Sequence, residues 1–193
     1  MMNDPLFEGK GILLAAPDAE RDAETVSCWT HDPDFLRLTE TGADQPLVPA
    51  QVREAFESDR KKGGMQSAYT FVIRGRTDNR LLGTVKLYSI GWAHGFARLQ
   101  LAIGDPADRG QGYGSEALAL ILRFAFDELN LFRVAATTCS YNGGALRWLE
   151  RSGFVTEVRQ REAIMRAGKR WDHIHMAILR PEWEASQARG VGV

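Results

Sequence analysis

Residues 97–130 constrain this chain more than any other stretch. They hold an alternating apolar run (Leu99, Leu101, Ile103), a turn at Gly104-Asp105-Pro106, a loop Arg109-Gly110-Gln111-Gly112-Tyr113-Gly114, and a long amphipathic segment from Ser115. In that segment Leu118, Ile121, Leu122, Ala125 and Leu129 recur at helical spacing, and Leu120 and Phe124 widen the apolar face, as for a helix packed on a sheet. Gly110, Gly112 and Gly114 strip side chains from the backbone where the helix begins, so several N–H groups can converge on one anion. The alternative is a tight strand-to-helix connection in which glycine only permits positive φ; Arg109 at the mouth favours the anion. Glu116 suits the positive helix end but repels a phosphate, so it is expected to point away.

What the loop lacks narrows the anion. A P-loop ends Gly-Lys-Ser/Thr, whereas this run ends Tyr113-Gly114-Ser115 with no lysine. A dinucleotide fingerprint needs a further glycine where Ser115 stands and an acidic residue about twenty positions on. The region around Phe132 offers no carboxylate, so both nucleotide readings fall.

At 193 residues the chain has the length of one domain and can bury roughly 70% of its unfolded surface. Its 24 Lys+Arg and 25 Asp+Glu give a net charge of −1, so no overall field draws it to nucleic acid or an anionic membrane, and neither is an expected partner. Cys28 and Cys139 are too few for a disulfide framework and lack metal-ligand spacing; they are expected to be buried in a reducing compartment. Met1-Met2-Asn3-Asp4-Pro5 has no basic region leading into an apolar run, and no apolar stretch approaches membrane-spanning length, so a cytoplasmic location is expected.

Along the chain, residues 11–16 read as a strand, and Asp18 caps a helix carrying Ala23, Val26 and Trp29 that His31-Asp32-Pro33 ends. Residues 34–49 read as irregular and 50–62 as a polar helix up to Gly63-Gly64. Strands at 69–74 and 81–88 flank a hairpin turn at 75–79, and 90–96 turns into the strand at Arg98. A strand at 132–138 follows the long helix, Asn142 caps a short helix ended by Gly153, and 154–163 pairs with 171–179 across Ala167-Gly168-Lys169. Pro181 stops the last strand, leaving an ordered core over about 9–184 and a mobile tail at 185–193 of a single domain, 1–193. The sum is an α/β (α+β) fold, a mixed, mostly antiparallel sheet flanked by helices.

The loop at residues 109–114 resembles the acetyl-CoA pyrophosphate loop of the GNAT superfamily of N-acetyltransferases, whose pattern is Arg/Gln-x-x-Gly-x-Gly/Ala. Asn142, Ala145, Glu150, Arg151, Gly153 and Phe154 are similar to the Asn-x-x-Ala…Glu-Lys-x-Gly-Phe helix of the same proteins. Arg161-Glu162-Ala163, Gly168-Lys169, Trp171-Asp172-His173 and residues 178–183 resemble the ribosomal-protein-alanine and spermidine acetyltransferase branch. The resemblance spans roughly residues 9–184 and implies a GNAT-like fold with acetyl-CoA as co-substrate in a gap between splayed central strands. By position, the backbone of Ala102, Ile103 and Gly104 would hydrogen-bond the pantetheine amides. The amides of Arg109, Gly110, Gln111, Gly112, Tyr113, Gly114 and Ser115 would hold the pyrophosphate, with Asn142 beside the cofactor as well as capping its helix. A homodimer is also implied.

The family often places a proton-donating tyrosine where this chain has Leu149, beside Trp148. A thiol of pKa about 8.5 leaves as thiolate at pH 7 for roughly 2 kcal/mol, so an acid helps without being indispensable. Ser140, Tyr141 or a water is the expected donor, and Glu162 the expected base, with Glu40 a weaker choice. Deprotonating a polyamine nitrogen at pH 7 costs about 4.6 kcal/mol but an α-amine only about 1, which favours a protein or peptide N-terminus as acceptor. The alternatives are a polyamine or other small amine, including an antibiotic, or a catalytically weak acyl-CoA-binding regulatory module. His173 and His175 share a strand face but lack a third ligand, so they are expected to pack and no metal is expected. Residues 18–65 are expected to supply most of the acceptor pocket.

Overall fold

The computed structural model describes residues 5–39, 45–61 and 67–188. Its chain order is β1 (Ile12–Ala15), α1 (Ala19–Thr30), α2 (Pro33–Thr39), α3 (Pro49–Lys61), β2 (Ala68–Gly75), β3 (Leu81–Gly91), β4 (Phe96–Ile103), α4 (Tyr113–Arg123), β5 (Arg133–Cys139), α5 (Gly143–Arg151), β6 (Val155–Arg166), β7 (Lys169–Leu179) and α6 (Arg180–Ala188). The strands form one sheet in the order β1-β2-β3-β4-β5-β7-β6. Neighbours are antiparallel except β4 and β5, which run parallel because α4 crosses between them.

Hydrophobic spacing explains the core. Leu118, Ile121, Leu122 and Ala125 are buried against Leu87, Leu99, Val134 and Met176 of the sheet, with Leu129 partly buried at the edge. The helix starts at Tyr113, earlier than Ser115, and widens into a π turn over Phe124–Glu128, where Leu129 N–H donates to Phe124 O at 3.0 Å. In this geometry Phe124 meets Phe7, Tyr69 and Phe71 while Phe126 meets Trp183.

Two segments depart from the sequence reading through the same device. Asp32-Pro33 begins α2 as well as following α1: Asp32 Oδ1 accepts from Asp34 N at 2.9 Å and Pro33 takes the first helical position. Residues 33–39 are therefore helical where an irregular run was expected. Pro181 likewise lies in the first turn of α6, Glu182 accepts from Leu179 N at 2.9 Å, and Trp183 is buried. The expected tail from residue 185 is thus helical through Ala188. Cys139 is buried as expected, but Cys28 is exposed, on the solvent side of α1.

On the face opposite α4, α1 is tied to β2 by a buried pair: Arg74 donates from one nitrogen to both oxygens of Asp22, at 2.6 and 2.9 Å. Asp18 caps α1 as expected, accepting from Glu20 N and Arg21 N. The residues of α1 and α3 that face each other (Ala23, Val52, Phe56) form a second small core.

Candidate active site

The functional geometry begins where the parallel pair ends. The β4–β5 ladder runs from Phe96↔Arg133 to Leu99↔Ala136. Beyond it β4 stays with β3 as far as Ile103↔Gly83, while β5 stays with β7 as far as Cys139↔His173, so the two strands part. The gap is a cleft of about 610 Å³, walled by the ends of β4 and β5, by Phe35 and Leu38 of α2, and by α5. That is a volume suited to a small-molecule ligand.

Gly104 N donates to Leu82 O at 2.9 Å, which fixes the alternation of the β3–β4 ladder. Main-chain groups of Ala102 and the N–H of Gly104 therefore face β3, and those of Leu101 and Ile103 face the gap. Of the three residues expected to carry the pantetheine contacts, only Ile103 has its backbone turned to it, and Leu101 joins it. Gly104 serves another purpose: a Cβ there would lie 1.9 Å from the Trp29 ring, so glycine lets α1 approach the strand end.

The loop beyond β4 is held from outside. Asp105 accepts from Ala107 N at 2.8 Å, and Asp108 receives two bonds from the Arg80 guanidinium at 2.6 and 2.7 Å. Those bonds hold the Asp108 carboxyl below its ordinary pKa, against the opposing effect of burial, and raise that of Arg80. Gly110 and Gly112 take φ of +77° and +91°, in the left-handed region, and no atom lies within 4 Å of where their Cβ would stand. Gly112 gives α4 no side-chain cap, so the first N–H groups of the helix point toward the loop without a partner in their own helix. The Glu116 carboxylate is turned away, accepting from Lys10 N and Gly11 N.

Arg109, Gly110, Gly112, Gly114 and Ser115 line the cleft; Gln111 is exposed and Tyr113 packs beside Gly11. Arg109 lies at the mouth, but its guanidinium folds back to donate to Gly104 O at 2.7 Å and Ile103 O at 3.3 Å, and pairs with Asp32 at 3.5 Å. It braces the strand end. Main-chain donors, an uncapped helix start and open left-handed glycines fit the diphosphate of acetyl-CoA, and the gap-facing edge of β4 at Leu101 and Ile103, where Arg109 already holds the Ile103 carbonyl, fits the amides of its pantetheine arm.

On the other wall Asn142 accepts from Ala145 N at 3.1 Å as the cap of α5, and donates to Leu38 O at 3.2 Å. Leu149 is buried in the lining at the position where a proton donor was sought. The neighbouring indole of Trp148 donates to Ser115 Oγ at 3.0 Å, joining α5 to the start of α4.

Three expected catalytic residues lie outside the lining. Ser140 Oγ accepts from Asp172 N at 3.0 Å, and the Tyr141 hydroxyl donates to Arg37 O at 2.6 Å, so both secure the β5–α5 turn. Glu162 is exposed on edge strand β6, at φ +53° within a register break between Gln160 and Ile164, and its N–H donates to Asp172 Oδ1 at 3.0 Å. In the sheet, β7 lies between its strand and the β5 wall of the cleft. Glu40 lies outside the described residues.

Polar strand residues of the cleft that sequence reasoning missed are Tyr88, Gln100, Thr137 and Thr138. Their signal was a polar position within an apolar strand, which is too common to single out. Among the described residues no group of three His, Cys, Asp or Glu is placed to hold a metal, and no helix is long and apolar enough to cross a membrane.

Comparison with known proteins agrees with this geometry. Residues 12–155 match the family described as an acetyltransferase (GNAT) domain. A probable N-acetyltransferase of Bacillus subtilis, YjcK, is 31% identical over 184 residues, covering 93% of this chain and 99% of that protein. A putative ribosomal N-acetyltransferase of the same organism, YdaF, is 27% identical over 180 residues, covering 91% and 93%. The crystal structure of spermidine N-acetyltransferase from Vibrio cholerae in complex with CoA and spermine superposes with a TM-score of 0.79 at 21% identity, covering 91% of this chain and 99% of that one. The chain belongs to the GNAT family and is an acetyl-CoA-dependent N-acetyltransferase.

Proposed function

We propose that the acceptor is a primary α-amine, the N-terminus of a peptide or protein, which attacks the thioester directly in a ternary complex. One observation carries this reading: the charge of the cleft. Among the described residues that line it, the carboxylate is Asp108, already engaged by Arg80, whereas Arg109 and Arg151 are cations. A polyamine is recognised by carboxylates and must also shed a proton at a cost of about 4.6 kcal/mol at pH 7, against about 1 kcal/mol for an α-amine. This lining favours the second. The name of the YdaF relative, a putative ribosomal N-acetyltransferase, points the same way.

Within this reading the chain's own residues divide the work. Backbone donors at residues 110–115 hold the diphosphate, and the gap-facing edge of β4 aligns the pantetheine arm. Leu149 keeps water from the sulfur side. No strong acid is needed to release CoA, because its thiolate lies only about 2 kcal/mol above the thiol at pH 7.

A second reading, a polyamine acceptor, rests on the several solved structures of similar fold that are spermidine N-acetyltransferases. An amine panel separates the two. With acetyl-CoA saturating and thiol release as readout, peptides with free N-termini should turn over at least tenfold faster, in kcat/KM, than spermidine. The reverse order would replace the first reading by the second.

A further inference from the structure

A second cavity, of about 170 Å³, lies over the β4–β5 ladder, reaching from Phe96 and Arg133 at its start to Thr137 just past its end. It shares Ala136 and Thr137 with the main cleft and is lined further by Arg98, Arg133 and His175. Register carries one face of the sheet to this point. From Arg74, which holds α1, the face passes through Val72 and Thr84 to Ala102 and Gln100, then Arg98 and Ala135, then Thr137 and its β7 partner His175. Thr137 is the first β5 residue past the last ladder pair, Leu99↔Ala136. Since the diphosphate site lies at the far end of the gap, a pantetheine arm laid along β4 ends with its acyl group at this apex. His175 therefore faces the point of transfer from the acceptor side.

Among the described residues that line the cleft, the carboxylate is Asp108. Asp108 is held by Arg80 next to the glycine loop, and Glu162 is across β7. The imidazole Nε2 atoms of His173 and His175 are both buried without a hydrogen-bond partner among the described residues, and of the two it is His175 that lines the cavity. We infer that His175 is the proton acceptor for the attacking amine, acting through one water in the cavity beside Thr137. The inference rests on the reading of the cleft as the site of acetyl transfer.

In the step, the neutral amine nitrogen forms a bond to the thioester carbonyl carbon and the C–S bond breaks, its electron pair leaving with CoA as thiolate. The extra N–H proton passes to the water, which gives one of its own to the imidazole. The imidazolium then returns that proton to solvent, and the thiolate is reprotonated from solvent. The cavity has room for the water, whose share of liquid volume is about 30 Å³.

The charged and titratable neighbours are Arg98 from β4, Arg133 from β5, Glu157 from β6 and His173 on β7 itself. Arg133 and Glu157 are paired with each other, and His173 stands 4.5 Å from His175 between ring centroids. Burial, then His175 and Arg98, lower the pKa of His173.

The test uses the whole protein. CoA, added alone, should shift the imidazole C–H resonances of His175, assigned by their loss in His175→Gln, and leave those of His31 and His94 in place. In steady state, His175→Gln should bind acetyl-CoA within twofold of wild type by calorimetry, lower kcat at least thirtyfold, and lose an acid limb that the wild-type pH profile shows with the same acceptor. The ionisation of the amine is common to both proteins, so a limb that disappears belongs to the protein. His173→Gln should keep the limb. A His175→Gln enzyme with an unchanged limb and a kcat within threefold of wild type overturns the inference alone, as does loss of the limb in His173→Gln only. A wild-type protein that binds no acetyl-CoA overturns the reading of the cleft as well.

Discussion

The glycine loop and the apex where β4 and β5 part lie at opposite ends of one gap and are built from different materials. The loop end is main chain: left-handed glycines, the uncapped start of α4 and the gap-facing edge of β4, all within residues 99–115. The apex is side chains delivered by β3, β4, β5 and β7, from Tyr88 to His175, together with α2. A site of main chain needs small residues at fixed spacing, which leaves a local trace and serves any acyl-CoA. A site of side chains depends on which strands become neighbours, and it can change acceptor without touching the loop. The two ends are also fastened differently, the loop by the part-exposed Arg80–Asp108 pair and α1 by the buried Arg74–Asp22 pair.

That contrast can be broken most forcefully at Asp22. Asp22→Ala leaves the Arg74 guanidinium buried without its partner and should cost about 3–5 kcal/mol in denaturant unfolding. At temperatures where the variant stays folded, the acceptor KM should rise more than the acetyl-CoA Kd. Pairing Asp22→Leu with Arg74→Met should recover most of the stability, since no charge is then left uncompensated. Equal damage to both constants would mean that the two ends are one rigid unit.

Asp108→Asn should act on the other end and more weakly. The Arg80 side chain is 49% exposed, so solvent screening limits the pair to about 1 kcal/mol. The acetyl-CoA Kd should rise several-fold with the acceptor KM little changed. The sign with pH follows from the lowered Asp108 pKa: the pair's contribution is complete above about pH 4, the ordinary carboxylate value, and is lost as pH falls through the lower folded value. The melting temperatures of wild type and variant should therefore differ at pH 7 and converge in strong acid; a gap that persists there would assign the effect to packing. The smallest effect is expected for Ser115→Ala, which takes the acceptor from the Trp148 indole and should cost about 0.5–1.5 kcal/mol in unfolding.

Periodicity and spacing made the central unit readable. The β4–loop–α4 sequence, the Asp18 and Asn142 caps, the β2–β3 and β6–β7 hairpins and the sheet class all emerge from local patterns, because each rests on residues close in sequence. What stayed hidden depends on pairing across distance. The alternation that turns Leu101 and Ile103, rather than Ala102 and Gly104, toward the gap is set by which residue of β3 each one meets. The edge position of β6, which separates Glu162 from β5, and the register that brings His175 to Thr137 are likewise properties of assembled strands. Asp32-Pro33 and Pro181 follow the ends of α1 and β7 as expected, while the helices they open stayed hidden, since proline both forbids continuation of one element and favours the first turn of the next helix.

The account turns on the backbone of the glycine loop holding acetyl-CoA. Its most direct test is calorimetric titration of acetyl-CoA into wild type and into the double variant Gly110→Val, Gly112→Val, with circular dichroism to show that the fold is kept. β-Branched residues at φ of +77° and +91° cost of order 1–3 kcal/mol each or force the loop to move, so affinity should fall at least thirtyfold. An unchanged Kd in a folded double variant would contradict the account.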